Sequence, residues 1–224
     1  MALEPPCSKV LNNKLNMKIV AISDTHGQHH SISLPEGDLL IHAGDLSKRG
    51  WKTEVEDFLN WFSAQPHRYK VFIAGNHDFF FEKESSSEIR KLLPDNLIYL
   101  NDSQIVIEGI KIWGSPIQPW FYDWAFNRQR GADIKKHWDL IHADTDILIT
   151  HGPAHGILDL TMDYRNVGCE ELIKKIAEIK PKYHICGHIH EAHGVLEKDG
   201  TTYINASQLN VHYRPVFKPI VFDF

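Results

Sequence analysis

The sequence is short of cysteine, of long apolar runs and of positive charge. Its three cysteines, Cys7, Cys169 and Cys186, lie far apart and form no C-x-x-C pair, so we expect free thiols in a reducing compartment. No apolar run approaches the length of a membrane span or of a signal-peptide core. Lysine and arginine number 24 against 29 acidic residues, a net charge of -5 that argues against a nucleic-acid polymer as partner. We therefore predict a cytoplasmic protein whose partners include neither a membrane nor a nucleic-acid polymer.

The rest of the composition is that of one globular domain. A chain of 224 residues with 42% hydrophobic and 24% charged residues is ordinary for such a fold. Residues 1–16 hold two prolines among polar residues without periodicity, so we expect a loose N-terminal leader and a single domain over residues 17–224. The 15 histidines are the outlier, and their positions decide which of them matter.

Five short apolar runs end in side chains that can bind metal ions. The first, Ile19 to Ile22, leads into Ser-Asp-Thr-His-Gly, and a continuous β-branched run is typical of a strand buried on both faces. Loops at the carboxyl ends of such strands are where α/β proteins place their sites. The polar residues after the five runs are Asp24 and His26; Asp45; Asn76 and His77; His151; and His188 and His190. Each is common in turns by itself, but their recurrence on five runs indicates one shared site.

Helices are predicted between these runs. Thr53-x-x-Glu56 and Ser85-x-x-Glu88 are capping-box patterns, and apolar positions at helical spacing predict a third helix from about residue 169 to residue 176. Prolines end each of these segments.

Hairpins are predicted at two glycine turns. Glu108-Gly109 and Asp199-Gly200 each separate two alternating runs, over residues 104–113 and 195–204. Residues 219–224 could close a sheet edge, and residues 114–131 are predicted to form a loop rich in tryptophan and arginine.

The ordered blocks D-x-H, G-D, G-N-H-D, H and G-H-x-H resemble those of the calcineurin-like metallophosphoesterase superfamily, over residues 17–207. The resemblance implies an α/β fold, a four-layer α/β/β/α sandwich of two packed mixed β-sheets flanked by helices, with a two-metal site at the strand ends. Residues 114–131 and 203–207 further resemble the small subgroup of metallophosphoesterase-domain-containing proteins related to class III cyclic-nucleotide phosphodiesterases.

The resemblance also implies how seven side chains divide between two divalent metal ions. One ion is expected on Asp24, His26 and His190, the other on Asn76, His151 and His188, with Asp45 between them. Mixed carboxylate, imidazole and amide ligands suit Mn²⁺, Fe or Zn²⁺, and we expect Mn²⁺. Ions that share a carboxylate lower the pKa of a bridging water, so that hydroxide attacks the phosphorus without a protein nucleophile.

Two further residues resemble the catalytic pair of the superfamily. His77 is expected to be the general acid or transition-state stabiliser and Asp78 to orient it, the alternative for Asp78 being a turn cap. Lys48 departs from the G-D-x-x-D-R-G block of phosphoprotein phosphatases, which argues against a protein phosphatase.

In the loop over residues 114–131, several side chains could stack a base or grip a phosphate. They are Trp120, Trp124, Asn127, Arg128 and Arg130. Core aromatic residues beside solvated arginines are the alternative.

These features together predict a metal-dependent phosphodiesterase that acts on small phosphate esters, cyclic nucleotides among them. A phosphomonoesterase or a dinucleotide-polyphosphate hydrolase is the alternative within enzymes, and a non-catalytic scaffold with the same fold is the alternative outside them. The sequence leaves the physiological substrate, the native metal and the oligomeric state open.

Overall fold

The computed structural model describes residues 16–224, so the predicted leader lies outside the described residues except for its last position. The strands of this part of the chain are β1 (Lys18–Ile22), β2 (Leu39–Ala43), β3 (Tyr69–Ile73), β4 (Ile98–Tyr99), β5 (Ser103–Ile107), β6 (Ile110–Ser115), β7 (Gln118–Pro119), β8 (Asn127–Arg128), β9 (Ile147–Thr150), β10 (Tyr183–Cys186), β11 (Gly194–Lys198), β12 (Thr201–Asn205) and β13 (Ile220–Asp223). The helices are α1 (Lys52–Ser63), α2 (Phe79–Lys83), α3 (Ser86–Leu92), α4 (Ala132–Trp138) and α5 (Glu170–Ile179).

Two mixed sheets form the centre of the molecule. The first has the order β13-β1-β2-β3-β4, with β13 antiparallel to β1 and the others parallel. The second has the order β11-β12-β10-β9-β6-β5, with antiparallel strands at its two edges and four parallel strands between them. A small parallel pair, β7 with β8, stands apart within the predicted loop.

Alternation of side chains along the strands explains the layers. Ile19 in β1 packs in one cluster with Ile149 of the second sheet, so this cluster is the core between the sheets. The next residue, Val20, belongs to the cluster that contains Phe58 and Phe62 of α1, so the opposite face of the sheet packs on a helix. Both faces are therefore buried, which confirms the four-layer α/β/β/α sandwich and explains the continuous apolar runs.

Several local predictions are confirmed and one is wrong. Ser85 caps α3, since Glu88 N donates to Ser85 Oγ at 3.3 Å, and both predicted glycine hairpins are present. The capping box at Thr53 is wrong because α1 begins at Lys52 with Trp51 as its N-cap, and Glu54 Oε2 accepts from Trp51 N at 3.1 Å. The segment 219–224 does close a sheet edge, as β13.

None of the helices within residues 16–224 has the length and apolar character needed to cross a membrane.

Candidate metal centre

The candidate ligands lie in the loops that follow β1, β2, β3, β9 and β10. Four of them, Asp24, His26, Asp45 and His188, have φ values of 53°, 42°, 55° and 67°. This left-handed conformation is unfavourable for residues with a side chain, and it persists where surrounding contacts enforce it. Here Asp24 N donates to Gly44 O at 2.9 Å, and His26 N donates to Asp45 O at 3.0 Å. Such concentrated backbone strain is characteristic of functional sites.

The first group of ligands joins the loops after β1 and β10. His26 Nε2 lies 3.3 Å from His190 Nε2, and His190 Nε2 lies 3.5 Å from Asp24 Oδ1. All three residues are buried, and their donor atoms lie within 4.8 Å of one another. The structure thus brings together the three side chains expected on one ion.

The second group joins the loops after β3, β9 and β10. His151 Nε2 lies 2.9 Å from Asn76 Oδ1, and the rings of His151 and His188 are 5.0 Å apart. Asp45, His151 and His188 offer donor atoms within 4.8 Å of one another. The three side chains expected on the other ion therefore also meet.

Asp45 lies between the two groups. Its Oδ2 atom is 3.6 Å from His26 Nε2 in the first group and 3.4 Å from His151 Nε2 in the second. Its Oδ1 atom accepts a hydrogen bond from His77 N at 2.8 Å, which fixes the orientation of the carboxylate. One carboxylate oxygen thus lies between the two groups of candidate ligands.

Hydrogen bonds to backbone and hydroxyl groups fix the orientation of the candidate ligands. His151 Nδ1 donates to Ala43 O at 3.0 Å and His190 Nδ1 donates to Asn210 O at 3.1 Å, which turns both Nε2 atoms toward the centre. The Asp24 carboxylate accepts from His188 N at 3.0 Å and from Ser207 Oγ at 2.8 Å.

Two glycines of the motifs are required by close approach. A Cβ atom at Gly187 would lie 2.1 Å from Asp24 Oδ2, and one at Gly75 would lie 2.3 Å from Asp45 Oδ1. Any other residue would push a carboxylate out of the centre, which explains the glycine in each block.

The electrostatics of the cluster fit bound cations. Burial alone would lower the pKa of His190, but its contact with Asp24 outweighs burial and raises the pKa to about 9. Asp45 has the same effect on His151, whose pKa is also raised to about 9 against the cost of burial. Burial lowers the pKa of His26 to about 4, so this imidazole is neutral and can donate a lone pair. Two carboxylates here stabilise protons on the neighbouring imidazoles. Divalent cations can displace those protons and take their place beside the carboxylates.

His77 lies beside the ligands with its imidazole held on two sides. Its Nδ1 donates to Lys48 O at 2.7 Å, and its ring stacks on Trp124 at 4.2 Å with an interplanar angle of 29°. Its Nε2 lies 4.0 Å from Asp45 Oδ2, at the edge of the cluster. The backbone supports this stack, since Ala125 N donates to Asn76 O at 3.1 Å. Trp124 therefore lies at the site, but against His77.

The predicted role of Asp78 as the orienting partner of His77 is wrong. The buried Asp78 carboxylate accepts hydrogen bonds from Leu46 N, Ser47 N, Ser47 Oγ and Gly75 N instead. Four donors from two loops saturate its oxygen atoms, so it joins those loops, and the carbonyl of Lys48 orients the imidazole.

Two of the residues predicted to contact substrate are instead engaged within the protein. Asn127 uses its side chain inside its own loop, where Nδ2 donates to Tyr122 O at 2.7 Å. Arg128 Nε donates to His137 Nε2 at 3.0 Å, and its Nη1 donates to Asn127 O at 2.7 Å. A loop with little regular structure leaves backbone groups without partners, and these side chains satisfy them.

The remaining two loop residues border a cavity next to His188. Trp120 is half exposed there. Arg130 also borders it, but its guanidinium donates to Val167 O and Gly168 O at 2.6 and 2.8 Å.

Tyr213 is a site residue that the sequence patterns miss. Its ring centroid lies 5.0 Å from that of His26 and 5.3 Å from that of His190, and its φ of 56° is again left-handed. The loop is held by Gln28 Nε2, which donates to Tyr213 O at 2.9 Å. No metal-binding block includes residue 213, so only the packing of a distant loop reveals it.

Comparison with known proteins places this geometry in context. A family model described as Calcineurin-like phosphoesterase matches residues 17–192. The chain is 42% identical over 229 residues to Metallophosphoesterase domain-containing protein 1 of Homo sapiens, an alignment that covers 92% of this chain and 70% of that protein.

Two solved structures share the fold. Phosphopantetheinyl Hydrolase (PptH) from Mycobacterium tuberculosis has a TM-score of 0.59 at 13% identity, over 88% of this chain and 90% of that one. TT1561 of Thermus thermophilus has a TM-score of 0.58 at 12% identity, over 93% of this chain and 99% of that one.

Proposed function

This chain belongs to the calcineurin-like phosphoesterase family, and from that premise we propose that it hydrolyses small phosphodiesters with the help of two divalent ions. Membership of the family indicates a metal-dependent phosphoester hydrolase. The observation that carries the finer proposal is the position of Asp45 Oδ2, at 3.6 and 3.4 Å from one imidazole of each ligand group.

Seven side chains would hold the ions, which we propose to be Mn²⁺. Asp24, His26 and His190 would bind one ion, Asn76, His151 and His188 the other, and Asp45 both. Two such ions, when bound, lower the pKa of a water molecule so that hydroxide is available near neutral pH, and they neutralise phosphoryl oxygens. The completeness of this set favours an enzyme over a scaffold, because a scaffold has no need of strained, buried ligands.

His77 is proposed to complete the catalytic groups. Its Nδ1–H is engaged by Lys48 O, so Nε2 is the atom that faces the centre and can donate a proton to the departing oxygen. The fixed ring, stacked on Trp124, keeps that atom at the edge of the ligand cluster.

The cavity next to His188 favours a diester over a monoester. A diester carries a second substituent on phosphorus, which needs space beside the ions, and this cavity of about 370 Å³ offers it. Cyclic nucleotides are one class of diester that fits this description. A small phosphate ester is accordingly proposed as the partner, rather than a membrane surface or a nucleic-acid polymer.

A cytoplasmic location is proposed from the cysteines. Cys169 and Cys186 are both free and buried, which is usual for proteins of a reducing compartment.

The test combines metal analysis with a substrate panel. In Mn²⁺, the wild-type protein should contain two ions and should hydrolyse bis-p-nitrophenyl phosphate faster than p-nitrophenyl phosphate. Asp45→Ala should lose both ions and activity, His190→Ala should lose mainly one ion, and Asp95→Ala on the exposed surface serves as the control. If Asp45→Ala kept full metal content and full activity, the proposal that both ions share the Asp45 carboxylate would be refuted. Faster turnover of the monoester would favour the phosphomonoesterase alternative.

A further inference from the structure

A second cluster of side chains that can bind a metal ion lies outside the candidate metal centre. His29 and His30 stand on a single 3₁₀ turn, His29–Ser31, and Asp57 stands on α1. Each of the three residues offers a donor atom within 4.8 Å of the other two. His29 Nε2 lies 3.1 Å from Asp57 Oδ2, and His30 Nε2 lies 3.2 Å from Asp57 Oδ1. Two imidazoles from one turn therefore face one carboxylate of the neighbouring helix.

The imidazole of His29 is fixed by the packing around it. Its side chain is fully buried. Its ring centroid lies 5.0 Å from that of Trp61 and 5.6 Å from that of Phe58, and both of these residues belong to α1. The ring is thus held beside Asp57 before any ion arrives, as a preorganised ligand requires.

The nitrogen atoms of His29 are unsatisfied. Neither of them has a hydrogen-bond partner within residues 16–224, because the close contact of Nε2 with Asp57 lacks hydrogen-bond geometry. Burial lowers the pKa of His29 to about 4 against the opposing effect of Asp57, so the imidazole is neutral at pH 7 and the contact is not an ion pair. A buried nitrogen without a partner is costly, and a metal ion on the Nε2 lone pair removes that cost.

The ligand types and their spacing favour zinc. Zn²⁺ binds imidazole nitrogen and carboxylate oxygen at about 2.0–2.2 Å, so two ligand atoms of a tetrahedral site lie roughly 3.3 Å apart. The two nitrogen–oxygen contacts of this cluster, at 3.1 and 3.2 Å, are close to that spacing. Mg²⁺ and Ca²⁺ prefer oxygen ligands, and sites with imidazole ligands bind Zn²⁺ more tightly than Mn²⁺.

The cluster is open to solvent on one side. The side chains of His30 and Asp57 are 63% and 55% exposed, whereas that of His29 is buried. An ion can therefore enter from solvent, and a water molecule can take the fourth position.

From this geometry we propose that His29, His30 and Asp57 form a zinc site that shares no side chain with the candidate metal centre. The inference goes beyond the proposed function and does not depend on it. The turn begins three residues after the candidate ligand His26, so zinc would tie the loop that follows β1 to α1. An ion that binds only the folded chain stabilises it, and the site is accordingly structural rather than catalytic.

The test is the zinc content of protein that has been loaded with Zn²⁺ and passed through gel filtration in metal-free buffer. Wild-type protein should retain one ion per chain more than His30→Ala or Asp57→Asn, and both of these changes lie at exposed positions that leave the core intact. His142→Ala removes another exposed imidazole and is the matched control, which should retain the wild-type zinc content. After loading with Mn²⁺ instead, wild type and His30→Ala should have the same metal content.

Thermal unfolding gives a second readout. At free Zn²⁺ of about 100 times the dissociation constant, the melting temperature of wild type should rise by about 5–10 °C more than that of His30→Ala. Equal zinc contents of wild type, His30→Ala and Asp57→Asn would overturn the proposal. An equal loss of zinc in His142→Ala would indicate non-specific binding to exposed imidazoles and would overturn it as well.

The outcome is separable from that of the proposed function. The readout is a difference of one ion between wild type and variants that keep all seven side chains of the candidate metal centre. If that centre bound no ions, or if the protein hydrolysed no phosphodiester, the proposed function would be refuted and the difference of one zinc ion would still be expected.

Discussion

Replacing Asp78 by alanine is expected to destabilise the fold rather than to uncouple a catalytic pair. Its buried carboxylate accepts from the N–H groups of Leu46, Ser47 and Gly75 and from the Ser47 hydroxyl, at 2.6 to 3.2 Å. These donors belong to the loops after β2 and β3, which also carry candidate ligands. One side chain therefore fixes the distance between two loops of the metal centre.

The size of the effect follows from the donors that would be left. Alanine at position 78 leaves three buried N–H groups without their acceptor, at about 1–3 kcal/mol each, so the free energy of unfolding should fall by roughly 3 kcal/mol or more. For a domain of this size, that is a fall in melting temperature of at least about 6 °C. Burial, with a further contribution from Asp45, raises the pKa of Asp78 to about 6, so the carboxylate is still ionised at neutral pH.

The assay is thermal and urea unfolding of Asp78→Ala beside Ser47→Ala and Asp95→Ala. Ser47→Ala removes the hydrogen bond that the hydroxyl donates to Asp78 and the one it accepts from Gly50 N, and should cost about 1–3 kcal/mol. Asp95→Ala at the exposed surface should stay within about 0.5 kcal/mol of the wild type. Below its melting temperature, Asp78→Ala should keep the wild-type ratio of rates for a cyclic nucleotide and bis-p-nitrophenyl phosphate.

A contrary result is easily recognised. In that case Asp78→Ala would keep wild-type stability but selectively lose activity on the cyclic nucleotide, as expected of a variant without the His77 proton donor. That result would mean that Asp78 orients His77, and the structural role would be refuted.

Three further predictions concern the site. His77→Ala should slow hydrolysis of a cyclic nucleotide by about 10²–10⁴-fold and that of bis-p-nitrophenyl phosphate far less, because a more basic leaving oxygen depends more on the donated proton. Trp124→Ala should cause part of this loss of rate and Trp124→Phe little of it. Equal losses on both substrates at unchanged metal content would contradict the role of His77 as an acid. EDTA-treated protein should lose stability as the pH rises, because folding raises the pKa values of His151 and His190 from 6.5 to about 9. Their contribution to the free energy of unfolding is complete below pH 6.5 and is lost as the pH rises through about 9. Urea unfolding across this window measures it, and a stability that does not change with pH would argue against these ion pairs. Arg128→Ala should leave KM for diesters unchanged but lower the melting temperature, since its guanidinium donates a hydrogen bond to His137. A raised KM would indicate that Arg128 contacts the substrate.

Local patterns in the chain were sufficient to predict the buried strands, whereas the four-layer architecture was predicted from the resemblance to the calcineurin-like superfamily. The β-branched runs that end in Asp, Asn and His predict strands buried on both faces, and parallel neighbours within a sheet necessarily bring their carboxyl ends to one edge. The ligand residues could be predicted for the same reason. Each stands just after its strand, so the first sheet carries Asp24 and Asp45 to the centre and the second sheet carries His151.

Helix boundaries already depend on more than the local pattern. Thr53-x-x-Glu56 is a valid capping sequence, yet the N-cap lies two residues earlier, at Trp51, because Glu54 reaches back to Trp51 N. Two overlapping patterns compete there, and the preceding loop decides between them.

The sequence by itself determined which residue types stand at the strand ends, and hence the fold and the candidate ligands. Only the tertiary structure decided which neighbouring polar side chains face the centre and which hold its loops, as Asp78, Asn127 and Arg128 do. It also brought Tyr213 to the ligands. The reason is that a strand fixes the direction of its own side chains, whereas a loop side chain takes its partners from segments far along the chain, and these meet only when the domain is folded.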